Sequence, residues 1–289
     1  MGLQAPKPSG TVFLPHETFA GQTVLVTGGG TGLGKAIAVE FARAGANVAI
    51  MSRSREHLDK GIAAVQAVGG RAIGVSTDIR DAGQIAVAFD SIEKHLGLVS
   101  VLVNNAAGNF PSPAERISPN GWRSVVQIVL DGTFFCAREF ALRRIAAGGG
   151  GSILNIVATY AWTGGPGTAH SAAAKAGVVN LTQSLAVEWA PDDIRVNSIA
   201  PGRFVHDDMP AHMTVGEGGN PGSNVPAQRT GELHEIGWAA TFLCSPFASY
   251  ITGHTLVVDG ANWLRRSPYM PEFTPVREMF AGWAGKNKS

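Results

Sequence analysis

Seven short apolar runs, separated by longer stretches of helical periodicity, constrain this chain more than any other feature. The runs are TVLVT (23–27), NVAIM (47–51), RAIGVST (71–77), VSVLV (99–103), SILNIV (152–157), IRVNSIA (194–200) and HTLVV (254–258). Nearly continuous Val, Ile and Leu marks strands covered on both faces, as in parallel sheets. Helical stretches fall between them at Leu33–Ala44, Arg55–Val68, Ala82–His95, Pro119–Ala147, His170–Trp189 and Glu232–Cys244. Strands that alternate with helices in this way predict an α/β fold: a doubly wound parallel sheet of about seven strands between two helical layers.

With 289 residues and 45% of them hydrophobic, the chain has enough apolar material for one large domain, placed at residues 23–262. Residues 1–22, with three prolines and no periodicity, read as an irregular arm, and 263–289 as a C-terminal extension carrying Arg265 and Arg266. The Gly- and Pro-rich stretch 206–227 is long enough to be a lid over substrate. A net charge of +1 excludes an extended nucleic-acid footprint. Two cysteines, Cys136 and Cys244, both in apolar helical runs, allow neither a disulfide framework nor a cysteine metal site, and no metal is expected. No uncharged apolar stretch approaches the ~18 residues of a membrane span, and the amino end lacks the apolar core of a secretory signal. A cytoplasmic protein is expected.

Glycine accounts for 37 residues, well above the ordinary share of roughly 7%, with no collagen-like period. Part of the excess has a clear use. The first strand runs directly into TGGGTGLGKAIAVEFARAGA, which sets Gly28, Gly32 and Gly34 at a strand-to-helix turn. Such a turn lets backbone approach a pyrophosphate, and the helix that follows offers free N–H groups and a positive dipole end. At the end of the second strand stand Ser52 and Arg53 and no carboxylate. An acidic residue there would take the ribose 2′-hydroxyl of NAD, whereas Arg accommodates the 2′-phosphate of NADP, so NADP(H) is the expected cofactor.

The Gly-x-x-x-Gly-x-Gly spacing, NNAAG (104–108) after the fourth strand and Pro201–Gly202 after the sixth resemble the short-chain dehydrogenase/reductase superfamily. The resemblance implies cofactor contacts at Gly28, Thr31, Gly32, Leu33, Gly34, Ser52, Arg53, Asp78, Ile79, Asn105, Ala106, Lys175, Pro201 and Gly202, with Asp78 at the adenine. Asp81 is the better N-cap for the helix from Ala82. Most members place a Tyr four residues before a helical Lys, and a Ser thirteen residues before that Tyr. HSAAAKAG supplies Lys175, but position 171 is Ser171 and position 158 is Ala158, so both hydroxyl groups of an ordinary carbonyl reductase are replaced.

A different Tyr, Tyr160, lies just past the fifth strand, and Asn109 just past the fourth, on the edge where open α/β sheets bind ligands. NNAAGNF, SPAERISPNGW, IVLDGT and the displaced Tyr resemble one branch, the NADPH-dependent 2,4-dienoyl-CoA reductases of the mitochondrial type. AVEWAPDDIRVNSIAPG and His170 are similar to the peroxisomal type. The resemblance implies that Tyr160 and Asn109 bind the thioester oxygen of an acyl-CoA substrate and that Lys175 holds the nicotinamide ribose. It further implies that Ser171 assists and that Arg80, Phe110 and Ser118 line the acyl-CoA site. His170 reads first as a structural histidine and second as an acid. The branch also implies a homo-oligomer, a tetramer or dimer built through the long helices. Two departures are Asp131, where an amide is common, and RFVHDD after Gly202, where a nicotinamide-binding Thr is common. Two other functions fit the residues: a reductase of another enoyl or keto substrate, and a cofactor-binding scaffold without activity.

Overall fold

A computed structural model describes residues 2–206, 208, 222–264 and 278. Seven parallel strands form one sheet in the order β3-β2-β1-β4-β5-β6-β7. They are β1 Thr23–Thr27, β2 Asn47–Ser52, β3 Arg71–Ser76, β4 Val99–Asn104, β5 Gly151–Ile156, β6 Ile194–Pro201 and β7 Thr255–Val258. Leu25 of β1 is level with Ala49 of β2 and Leu102 of β4. The order reverses between β1 and β4, and a crevice opens there at the carboxyl ends of the strands.

Alternate residues of each strand serve opposite faces. Val24 and Val26 pack with Ile37 and Phe41 of α1 (Gly32–Arg43), Leu58 and Val65 of α2 (Arg55–Gln66), and Ile236 and Ala240 of α8 (Leu233–Cys244). Leu25 packs instead with Ile85, Phe89 and Ile92 of α3 (Ala82–Leu96), Cys136 and Phe140 of α5 (Gly132–Ala146), and Leu185 of α7 (Ala169–Trp189). Fully burying side chains of this size contributes about 1.5–3 kcal/mol each. Three layers result, as the alternation of runs predicts. Asp81 caps α3 by accepting the N–H groups of Gly83 and Gln84, and both cysteines are buried.

The expected single helix over Pro119–Ala147 is interrupted. α4 (Pro119–Val126) and α5 are joined by a π-helical turn, Gln127–Asp131. Within it Val129 turns toward Ala174 and Val178 of α7, while Cys136, further on, faces the sheet. The Thr133 hydroxyl takes the Val129 carbonyl at 2.7 Å, a back-bond that competes with regular helix bonding. Apolar periodicity runs through such a turn unbroken, so the sequence reads as one helix.

A buried polar chain locks the sheet to α7. Asn104 of β4 donates to the Asn155 side-chain oxygen at 3.0 Å, and Asn155 of β5 donates to the Thr182 hydroxyl of α7 at 2.9 Å. Replacing Asn155 by Leu keeps the volume and strips Asn104 of its best partner. An unsatisfied buried amide costs about 1–3 kcal/mol. Thermal unfolding of Asn155→Leu should begin roughly 2–6 °C lower, and an unchanged midpoint would show the chain to be dispensable.

The segments flanking the sheet are fastened to it. Phe19 is fully buried, edge-on to Phe41 with ring centroids 5.0 Å apart, and the Leu3 N–H reaches the Ala227 carbonyl at 3.0 Å. Of the expected lid over 206–227, only 206, 208 and 222–227 lie among the described residues, and Val225 and Ala227 there are buried. Trp263 donates its N–H to the Asp259 carboxylate at 2.7 Å and meets Trp162 edge-on. Arg265 and Arg266 lie outside the described residues. Among the described residues, no helix is long and apolar enough to cross a membrane.

Candidate active site

β1 ends at Thr27, and the chain must then turn sharply into α1. Gly28 takes φ +65° and Gly32 φ +49°, values that favour glycine. Gly34 is required for space: a Cβ there would lie 2.4 Å from the Asn105 side-chain nitrogen and 2.5 Å from the Gly28 carbonyl oxygen. Asn105, just past β4, braces the turn by donating to the Thr27 and Gly28 carbonyls at 3.0 and 3.2 Å. The Thr27 hydroxyl in return accepts the N–H groups of Asn105 and Ala106, both at 3.0 Å. The braced turn leaves the amino end of α1 open to an anion. A backbone cradle of this shape fits the pyrophosphate of a dinucleotide.

The turn forms one end of an 800 Å³ cleft along the carboxyl edge of the sheet. Thr31, Leu33, Ala106, Pro201 and Gly202 line it, as do Ser52, Arg53, Asp78 and Ile79 at the ends of β2 and β3. All the expected cofactor positions therefore lie in one place. Asp78 is committed to cations: Arg80 grips its carboxylate with two nitrogens, and Arg53 stands 3.9 Å away. The Arg80 hydrogen bonds, with Arg53 adding to them, hold the Asp78 carboxyl below the ordinary carboxylate range.

Beyond the cofactor end, the cleft is lined by Asn109, Ala158, Tyr160 and Lys175. The methyl group of Ala158 stands where an ordinary carbonyl reductase has a hydroxyl. Tyr160 opens a four-residue helix, α6 (Tyr160–Thr163), and its hydroxyl meets the Ser171 hydroxyl of α7 at 3.1 Å. Ser171 and Lys175 are one helical turn apart on the same face of α7. Ser171 is buried behind Tyr160 and does not itself line the cleft. Lys175 is buried too, and its ammonium donates to the Ile156 carbonyl at the end of β5. Burial disfavours the charge and pulls its pKa from 10.5 to about 8.

The three expected acyl-CoA residues stand apart from this group. Phe110 packs edge-on against His170, ring centroids 4.4 Å apart, and also approaches Gly121. Ser118 caps α4 through the Gly121 N–H at 3.0 Å. Arg80 sits with Asp78 on the far rim. His170 is fully buried, accepts the Ser171 N–H on its Nδ1 at 2.8 Å, and is held neutral by burial, which lowers its pKa. That arrangement suits a structural histidine. Five polar side chains of the cleft have no role read from the sequence: Ser54 and His57 at the start of α2, Thr77, Arg203 and His206. Arg203 and His206 belong to the RFVHDD stretch after Gly202, which the sequence marks as a departure from the family pattern and not as a lining of the cleft.

A family model described as enoyl-(acyl carrier protein) reductase matches residues 28–261. A Bacillus subtilis protein named as a probable 2,4-dienoyl-CoA reductase, (2E)-enoyl-CoA-producing, is 41% identical over 251 residues, which span 86% of this chain and 99% of that one. The Arabidopsis thaliana peroxisomal 2,4-dienoyl-CoA reductase, (3E)-enoyl-CoA-producing, is 38% identical over 278 residues, 89% of each chain. Among solved structures, a short-chain dehydrogenase from Bacillus anthracis superposes with a TM-score of 0.78 at 42% identity, covering 86% of this chain and 99% of that one.

Proposed function

The chain belongs to the short-chain dehydrogenase/reductase family, and from that premise we propose that it reduces 2,4-dienoyl-CoA thioesters to 3-enoyl-CoA with NADPH. It is an oxidoreductase with a site for a nicotinamide cofactor. One observation carries the choice of substrate: the cleft offers the Tyr160 hydroxyl beside Asn109 and Lys175, while position 158 offers only a methyl group. A ketone needs an acid at the oxygen next to the carbon that is reduced. A conjugated dienoyl thioester takes its hydride at C5, and negative charge develops far away, on the thioester oxygen. Donors must then stand at that distant oxygen.

The cofactor supplies the hydride. Tyr160 and Asn109 bind the thioester oxygen, and each donor is worth more as its charge grows. Ser171, at 3.1 Å, fixes the Tyr160 hydroxyl. Lys175 binds the nicotinamide ribose and places a positive charge near the developing anion. Protonation at the α-carbon then leaves the double bond at C3, whereas protonation at C4 would leave it at C2. Arg53 supports NADPH over NADH by offering a cation where a 2′-phosphate would lie. Arg80, Phe110 and Ser118 stand apart from the Tyr160 group, and only the family resemblance supports giving them the more distant parts of the acyl-CoA. The setting is the cytoplasm. The assembly is a homo-oligomer, a tetramer or dimer, and the exposed Phe134, Leu142 and Ile145 along α5 support an interface there.

Cofactor oxidation with a 2,4-dienoyl-CoA, a 2-enoyl-CoA and a 3-ketoacyl-CoA, each with NADPH and with NADH, tests this reading. Turnover is expected for the dienoyl thioester with NADPH, giving a 3-enoyl product. Turnover of the ketoacyl thioester alone would overturn the substrate assignment, a 2-enoyl product the site of protonation, and equal rates with NADH the role of Arg53.

A further inference from the structure

The open amino end of α1 holds an anion of the protein's own. Asp208, 176 residues away in sequence, accepts the Gly32 N–H at 3.2 Å and the Lys35 ammonium at 3.0 Å through one oxygen. Its other oxygen is 4.0 Å from the Lys60 ammonium. α1 has no local substitute for this carboxylate, since Thr31 ahead of it makes no side-chain cap and its first turn contains no acidic residue. Beside Asp208, the His206 ring packs so close to Gly32 that a Cβ there would fall 2.9 Å from it. Partial burial opposes the charge on Asp208, but the bonds from Lys35 and Gly32 outweigh it and hold the carboxyl below its ordinary range. Asp208 is therefore ionised at neutral pH.

An amide at a helix amino end and a lysine converging on one oxygen are the donors that bind a phosphate oxygen. Each oxygen that takes them excludes another, and two anions at that position repel. We propose that Asp208 and the cofactor pyrophosphate are alternative occupants of the position made by Gly32 and Lys35, so that Lys35 binds cofactor phosphate and Asp208 sets cofactor affinity by competition. This rests on the nicotinamide-cofactor reading, but not on the choice of NADPH, because NADH carries the same pyrophosphate.

Equilibrium titration of NADPH and of NADH, by nicotinamide fluorescence or calorimetry, separates the possibilities. Asp208→Asn should tighten both cofactors by the same factor, roughly five- to twentyfold for a competitor that holds the position about 80–95% of the time. Lys35→Met should weaken both by about tenfold when made in the Asp208→Asn background, and by less in the wild type, where it also releases the competitor. Dissociation constants within twofold of wild type for Asp208→Asn, or weaker binding, would overturn the competition. A gain confined to NADPH would overturn it too, by moving the contact to the 2′-phosphate. Wild-type preference for NADH, with both cofactors gaining equally, would sink the NADPH assignment and leave this inference standing.

Discussion

Tyr160→Phe should lower kcat for dienoyl-CoA reduction by a hundredfold or more, about 3 kcal/mol of barrier, with little change in cofactor affinity. A single donor to a developing oxyanion is worth this much because the charge it meets is larger in the transition state than in the bound substrate. Phe keeps the ring and its packing on α6, so the loss is confined to one hydroxyl. Ser171 loses a partner at 3.1 Å, but it lies behind Tyr160, outside the lining of the cleft, and has no direct route to substrate. The split between constants is the check. A donor used mainly in the transition state lowers kcat and kcat/KM together, whereas a merely packing tyrosine would raise KM or lower the thermal midpoint. A kcat within threefold of wild type would remove Tyr160 from the mechanism.

Lys175→Met should abolish measurable turnover and at the same time stabilise the protein at pH 7. Burial holds the Lys175 pKa at about 8, against an ordinary 10.5. Below about pH 8 the buried ammonium is charged, and the folded protein bears the full cost of keeping it so. Between about 8 and 10.5 the unfolded chain binds the proton and the folded one does not, so wild-type stability rises with pH across that window. Met fills the same buried position without charge and escapes that cost, which is of the order of 3 kcal/mol by the conversion of pKa to free energy. Activity follows the opposite trend. In its proposed role the cation serves the reaction only while it is charged, so wild-type kcat/KM should fall as pH rises through about 8. A profile flat from pH 7 to 9.5, or a Met variant less stable than wild type at pH 7, would refute the role given to the buried charge.

Both variants concern residues that the sequence made visible, and the reason is local. Tyr160 and Asn109 come four and five residues after the ends of the apolar strands β5 and β4, and the carboxyl edge of a parallel sheet is where such residues meet. The glycine turn is legible because Gly28, Gly32 and Gly34 meet steric demands within seven residues of chain. Asp81 announces its helix from one position away. What escaped the sequence depends on partners distant along the chain. Asn155 lies between Asn104 and Thr182 in a buried relay that no period marks. Thr27 braces a loop 78 residues later, and Asp208 reaches Gly32 across 176. The π-helical turn at Gln127–Asp131 was hidden for a different reason: it changes the bonding of the helix without breaking its apolar pattern.

Tyr160 and Lys175 stand on supports of very different extent. Lys175 is fixed in a 21-residue helix pinned to the sheet by Thr182, whereas Tyr160 rides on four residues, none of them buried, that end at a glycine with φ +77°. In the proposed roles, the residue that holds the cofactor and the one that meets the substrate can therefore drift apart in evolution. Altering a few surface residues around 160 would reposition the recogniser while the core that supports Lys175 stays untouched. A scaffold divided in this way can acquire new substrates cheaply, because trial versions of the short segment put little of the fold at risk.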